Sequence, residues 1–236
     1  MCLKNKLFFD LENEIFNLKN IEIIPFKEEQ LNPNSYDLTL NKKCKILHPD
    51  ALHHTARILL STKRTDEFKK FISFNDVFEH NTEGYQTLDC KKAHIFFEFD
   101  IPEEGLILLP NHLYLFACNE KLGIYGDICA NVEGKSSLGR LGLDVHICAG
   151  FMDTGFHGSL VLELRTIYPL RIYPDMRIAQ IKYERCEEEP ETCYKNKEGS
   201  KYSGQQGVQE SLMYKNFTSE SNKGRSSNIF ADPPRG

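Results

Sequence analysis

Between Glu133 and Arg165 the chain gathers reactive side chains at the ends of short apolar runs. Gly134 is followed by Lys135, Ser136 and Ser137, and Arg140 stands four residues after Ser136. Glycine allows a close backbone approach, hydroxyls and exposed amides donate to an anion, and lysine adds charge. That is phosphate-binding logic, and it is equally the composition of a surface turn. Gly224-Arg225-Ser226-Ser227 repeats it near the C-terminus, so composition alone does not decide. If the segment coils, Ser136 and Arg140 share one face; otherwise Arg140 is a solvated charge.

Glu163 lies inside the run Ser159–Arg165. A period of two puts Leu160, Leu162 and Leu164 on one face and Ser159, Val161, Glu163 and Arg165 on the other. The second face either meets water, with Glu163 paired to Arg165, or lines a pocket. In a pocket, desolvation raises the carboxyl pKa and suits it to moving a proton. Asp153, between Phe151-Met152 and Thr154-Gly155, is either a turn aspartate accepting backbone amides or a hook for a sugar hydroxyl or a water. His146 and His157 read as strand and turn residues without chemistry. None of the eight histidines begins a His-x-Glu and no Pro-Cys occurs, so the zinc-deaminase signature is missing. Gly134-Lys135-Ser136 is only the last third of a Walker-type loop.

The elements that must position these residues read mainly as strands. A chain of 236 residues fits one domain and can bury a core without disulfides or metals. Asp10–Leu18 is expected as a short helix, with Asp10 as N-cap and Leu11, Ile15 and Leu18 on one face. Ile21–Phe26 reads as a strand, Asn32-Pro33-Asn34 as a turn, and Ser35–Leu40 as a strand with Tyr36, Leu38 and Leu40 on one face. Residues 49–92 are polar and mixed and read as an insertion or elaborated loop, with a helix near Asp66–Phe71. Short runs then follow at regular spacing: His94–Phe99, Leu106–Leu109, Leu113–Cys118, Ile124–Asn131, Val145–Ala149, Ser159–Arg165, Leu170–Tyr173 and Ile178–Tyr183. This spacing predicts an all-β sandwich or barrel. Lys195–Gly207 has the composition of a mobile segment that orders over something. Residues 1–214 are expected to form the domain, and 215–236 a disordered tail.

A net charge of −5 argues against non-specific nucleic-acid binding and leaves room for a local basic pocket. Leu7-Phe8-Phe9 is too short for a signal core, and no run approaches a membrane span. The expected place is the cytoplasm, with eight cysteines as thiols. None forms Cys-x-x-Cys, and Cys118, Cys129 and Cys148 lie in apolar runs that suit small core residues.

The combination Gly134-Lys135-Ser136-Ser137-Leu138-Gly139-Arg140-Leu141-Gly142-Leu143, then Ala149-Gly150-Phe151-Met152-Asp153-x-Gly155-Phe156-x-Gly158, then Leu162-Glu163-Leu164, resembles the dCTP deaminases of the trimeric dUTPase superfamily. Ser35-Tyr36-Asp37-Leu38 and Met176–Ile181 are similar to its strands, and Tyr194 with Lys201–Gly207 to its C-terminal segment. The resemblance implies a distorted jelly roll or β-clip, assembled as a homotrimer with active sites at subunit interfaces. It implies metal-free hydrolytic deamination of dCTP at cytosine C4. Glu163 would be the general base, and Ser136, Arg140 and Ala149 would position the water and the intermediate. Lys135, Ser136, Ser137, Tyr194, Lys201 and Gln205 would hold the phosphates, with magnesium bound through the triphosphate and no zinc.

Two departures matter. Lys135 stands where many members have arginine, which keeps the charge and loses the bidentate fork. Gly150-Phe151 resembles the bifunctional members that continue to dUMP and pyrophosphate, where members stopping at dUTP tend to carry His-Arg. In bifunctional members Asp153 would help place the water attacking the phosphate. The alternatives are a deaminase that stops at dUTP, a plain dUTPase (though its glycine-rich C-terminal motif is lacking), and a non-catalytic nucleotide-binding regulator on the same scaffold.

Overall fold

A computed structural model of the chain describes residues 9–10, 15–18, 20–47, 88–147 and 149–218. The helix expected at 66–71 and most of the 49–92 insertion lie outside them.

The backbone of the fold is β7 (Tyr114–Ile124). Its apolar residues are shut from water on both faces, as are the alternate residues of the strands beside it. It pairs with β3 (Ile21–Ile24), β4 (Tyr36–Leu47) and β11 (His157–Thr166), always antiparallel. β4 is long enough to serve two neighbourhoods. Its first half, Tyr36–Thr39, pairs with β13 (Arg177–Arg185), and Leu40–Ile46 pairs with β7 across a register shift. Its far end also pairs with β5 (Phe96–Asp100). β13 continues to β8 (Ile128–Gly134), and β8 to β10 (Phe151–Met152). β9 (Leu143–Val145) joins the free side of β11. β6 (Leu106–Leu108) and β12 (Leu170–Ile172) form a separate two-stranded sheet. The mainly β expectation holds, as a large curled antiparallel sheet around a main core, with a smaller apolar cluster at Leu115, Ala117 and Val208.

The N-terminal helix does not. Phe9–Asp10 is a strand, β1, paired to β2 at Ile15–Leu18, which in turn pairs with β3. Ile15 and Phe16 suit an extended chain, and an open edge of β3 beside them offers backbone partners that outweigh a weak helical pattern.

β7 also runs further than expected, to Ile124, through Asn119-Glu120-Lys121. The polar break is absorbed internally. Glu120 is buried, and accepts hydrogen bonds from the Gln30 amide at 2.8 Å, the Thr39 amide N–H at 2.9 Å and the Thr39 hydroxyl at 2.8 Å. β8 accordingly starts only at Ile128, after a turn at Gly126 with φ +60°. Met213–Phe217 forms a 3-10 turn that crosses the boundary expected at 214, and residues 219–236 lie outside the described set. Cys44 and Cys118 are buried thiols and Cys129 is half-buried; Cys148 is not described.

Candidate active site

Gly134 ends β8, and the chain then coils into one helical turn, α1 (Ser136–Gly139). The Arg140 N–H donates to the Ser136 carbonyl at 3.1 Å, so both residues share that turn as the spacing requires. Ser136, Ser137 and Arg140 are exposed. Lys135 is not: its ammonium is paired with Asp37, which is 2% exposed. Asp37 also accepts from the Asn32 amide at 2.8 Å and lies 3.5 Å from Arg177. Asp37 lies on the face of β4 opposite Tyr36, Leu38 and Leu40. Both faces of β4 are covered there, and the carboxylate is retained by ringing it with donors.

Beyond α1, β9 leads back along β11, with Val145 opposite Leu164 and Asp144 opposite Arg165. Glu163 lines a cavity of about 420 Å³ together with Ala149, Phe151, Asp153, Tyr194 and Gln205. Leu113, Leu115, Phe156 and Val161 supply apolar walls. Glu163 does not pair with Arg165, whose guanidinium instead meets Asp144 at 2.8 Å. Among the described residues the Glu163 carboxylate has no hydrogen-bond or ion-pair partner, and burial raises its pKa above the usual carboxylate range. Both features are those of a proton carrier and not of a salt-bridged surface acid.

Ala149 and Asp153 sit at the open side of the cavity. Gly150 between Ala149 and Phe151 presses against β8. Its carbonyl accepts from the Val132 N–H at 2.8 Å, and a Cβ on it would lie 2.5 Å from the Val132 carbonyl oxygen. A larger residue there requires the chain to leave β8 and re-aim Ala149.

The remaining wall is the segment after Tyr194. The Tyr194 hydroxyl accepts from the backbone N–H groups of Lys201 and Tyr202 at 3.4 and 3.3 Å, folding the segment back on itself. Gln205 then runs alongside β11. The Ser159 N–H donates to its carbonyl at 3.0 Å, and its side-chain amide donates to the Ser159 carbonyl at 2.6 Å. Gly158 makes this approach possible: its φ is +126°, and a Cβ would lie 2.6 Å from the Gln205 carbonyl oxygen. Val208 is buried against Leu115 and Ala117, and Glu210 meets Lys45 at 2.6 Å. Gln205 Oε1 is left buried and without a partner among the described residues.

One chain therefore brings together Glu163, Ala149, Asp153, Tyr194 and Gln205. It does not add Lys135, Ser136, Ser137, Arg140 or Lys201 to the cavity lining, and Lys201 directs its ammonium to the Gly199 carbonyl at 3.4 Å. The lining also holds a residue that sequence reasoning passed over, His146. Both of its ring nitrogens are buried with no partner among the described residues, and its φ is +63°. The available signal was its place at the end of the strand that pairs with Glu163, not its residue type. Among the described residues no group of three or more His, Cys, Asp or Glu is placed to hold a metal, and no helix is long and apolar enough to cross a membrane.

The family to which such a chain belongs is settled by comparison. Residues 11–186 match the dCTP deaminase-like family, and the chain belongs to it. A dCTP deaminase, dUMP-forming, of Hathewaya histolytica is 38% identical over 199 residues, 84% of this chain and 92% of that one. A dCTP deaminase, dUMP-forming, of Leptospira biflexa is 38% identical over 198 residues, 84% of this chain and 90% of that one. Among solved structures, the 2'-deoxycytidine 5'-triphosphate deaminase of Agrobacterium tumefaciens aligns with a TM-score of 0.45 and 20% identity, over 68% of this chain and 42% of that one.

Proposed function

We propose that this protein hydrolyses dCTP in two steps in one cavity: dCTP and water give dUTP and ammonia, then dUTP and water give dUMP and pyrophosphate. The observation that carries the reading is the Glu163 carboxylate, unpaired, desolvated and facing a nucleotide-sized cavity in a chain of the dCTP deaminase-like family. The relatives named above support the dUMP-forming outcome.

In the first step Glu163 takes a proton from water as the oxygen attacks C4, then passes it to the departing amine. Ser136, Arg140 and the Ala149 backbone position that water and the oxyanion. In the second step Asp153 orients the water that attacks the phosphate. Lys135, Ser136, Ser137, Tyr194 and Lys201 receive the triphosphate, which enters as its magnesium complex with the metal carried by the phosphates. Gln205 offers the cavity an acceptor oxygen, so we assign it to a donor group of the nucleotide and not to a phosphate.

Ser136, Ser137 and Arg140 stand exposed outside the cavity lining. We assign them to the cavity of a neighbouring copy in a homotrimer, each site being shared between subunits. The exposed Leu141, Ile167 and Tyr168 around α1 suit burial in such an interface. We place the enzyme in the cytoplasm, whose reducing conditions suit its free thiols.

The test incubates the protein with dCTP and magnesium and follows ammonia, dUTP, dUMP and pyrophosphate. Ammonia with pyrophosphate and dUMP is expected. Ammonia with dUTP alone defeats the second step, hydrolysis of added dUTP with dCTP untouched makes it a dUTPase, and no turnover of either makes it a binding protein.

A further inference from the structure

His146 stands directly across from Glu163. Its backbone N–H donates to the Glu163 carbonyl at 3.0 Å, which continues the register Val145–Leu164 by one residue. A left-handed turn at φ +63° then takes the chain out of β9 toward Ala149. The imidazole lines the same cavity as Glu163 and Gln205, and neither ring nitrogen has a partner among the described residues. No ionisable side chain among the described residues is bonded to it, and burial pushes its pKa down to about 4. At neutral pH the ring is thus uncharged, with one N–H donor and one lone-pair acceptor.

Those two valences match a peculiarity of the proposed reaction. Deamination turns the amino group at C4, a donor, into a carbonyl, an acceptor, and turns N3 from an acceptor into an N–H donor. A cavity that processes both bases in turn must satisfy opposite hydrogen-bond patterns at one edge. A lysine or a carboxylate fits one of them; a neutral imidazole fits both by exchanging its tautomer. We propose that His146 is a specificity-determining residue that reads the base edge next to C4, accepting from cytosine before deamination and donating to uracil after it. The inference rests on the two-step reading above.

The test assays dCTP deamination and dUTP hydrolysis separately, for the wild type, His146→Leu and His146→Asn. Asparagine keeps a donor and an acceptor and tolerates positive φ. In His146→Leu, kcat/KM is expected to fall about tenfold or more for both substrates, as for loss of a buried hydrogen bond. His146→Asn is expected to recover most of that loss. Values for His146→Leu within twofold of wild type on both substrates overturn the proposal, and so does a loss confined to one substrate.

A second measurement does not depend on how His146 variants fold. Histidine-labelled Glu163→Gln protein is titrated with dCTP and, separately, with the α,β-imido analogue of dUTP, and the ring 15N shifts are read by NMR. The proton-bearing nitrogen of His146 is expected to differ between the two complexes. Identical shifts in the free protein and both complexes overturn the proposal. Failure of the wild type to turn over dCTP would instead defeat the two-step reading, which these shifts do not measure.

Discussion

The Lys135 ammonium is clasped by Asp37 across the gap between β4 and the start of α1. The pair ties the phosphate-type turn to the sheet, because Asp37 is buried and also held by Asn32. Replacing Lys135 by Met leaves a carboxylate in the interior with only the Asn32 amide and the more distant Arg177. We expect a stability loss of about 1–3 kcal/mol, the cost of leaving a buried polar group short of a partner. Urea unfolding of Lys135→Met measures it. A change below about 0.3 kcal/mol would show that Asn32 and Arg177 suffice.

Glu163→Gln is expected to end ammonia release while leaving nucleotide binding within a fewfold of wild type, read by single-turnover ammonia detection and calorimetric titration. Retained deamination removes Glu163 from its role.

The same substitution should change how stability depends on pH. The folded-state pKa of Glu163 lies above the unfolded value of about 4.3, because burial disfavours the charged form. The folded protein therefore binds the proton more tightly than the unfolded chain, and stability falls as pH rises through the interval between the two values. Above both, the whole penalty is present. The melting temperature of Glu163→Gln is expected to exceed that of wild type at pH 7–8, and the difference to shrink below about pH 4. A difference that grows toward acid would mean that the carboxylate is stabilised in the fold.

Gly150→Ala places a methyl 2.5 Å from the Val132 carbonyl oxygen. The backbone must move, and overpacking of this kind costs about 1–3 kcal/mol. Thermal unfolding should show the loss. Deamination should fall with it, since Ala149 moves with Gly150. Wild-type deamination in a destabilised Gly150→Ala would separate β10 from the positioning of the water.

Much of this was legible in the sequence because the signals were local. Alternation marked β11 and the face that carries Glu163, and the spacing of Ser136 and Arg140 marked one helical turn. The order of the motifs from Gly134 to Leu164 identified the family that the comparisons then bore out. What failed was decided at a distance. Ile15–Leu18 became a strand because β3 offered an edge, which no pattern within the segment reveals. Nothing within Ser35–Leu40 shows that Asp37 is buried among Lys135, Asn32 and Arg177, two of which come from distant parts of the chain. His146 looked bland because a histidine acquires meaning from its surroundings, here the strand register that sets it across from Glu163. Gln205 likewise shows which end of its amide faces the cavity only once Ser159 has engaged the other.

Between Gly158 and Gly207 the wall of the cavity is fastened by a run of hydrogen bonds that share two short stretches of backbone. The Gly204 N–H donates to the His157 carbonyl at 2.8 Å, the Ser159 N–H to the Gln205 carbonyl at 3.0 Å, and the Gly207 N–H to the Ser159 hydroxyl at 3.1 Å. Bonds arranged this way break together, since releasing one residue strains the next. The wall on that side of the cavity is therefore kept or lost as one unit. Gly158→Ala, whose Cβ would lie 2.6 Å from the Gln205 carbonyl oxygen, should accordingly lower hydrogen-exchange protection at the Ser159, Gly204 and Gly207 amides together, and a loss at only one of them would show that the bonds are independent.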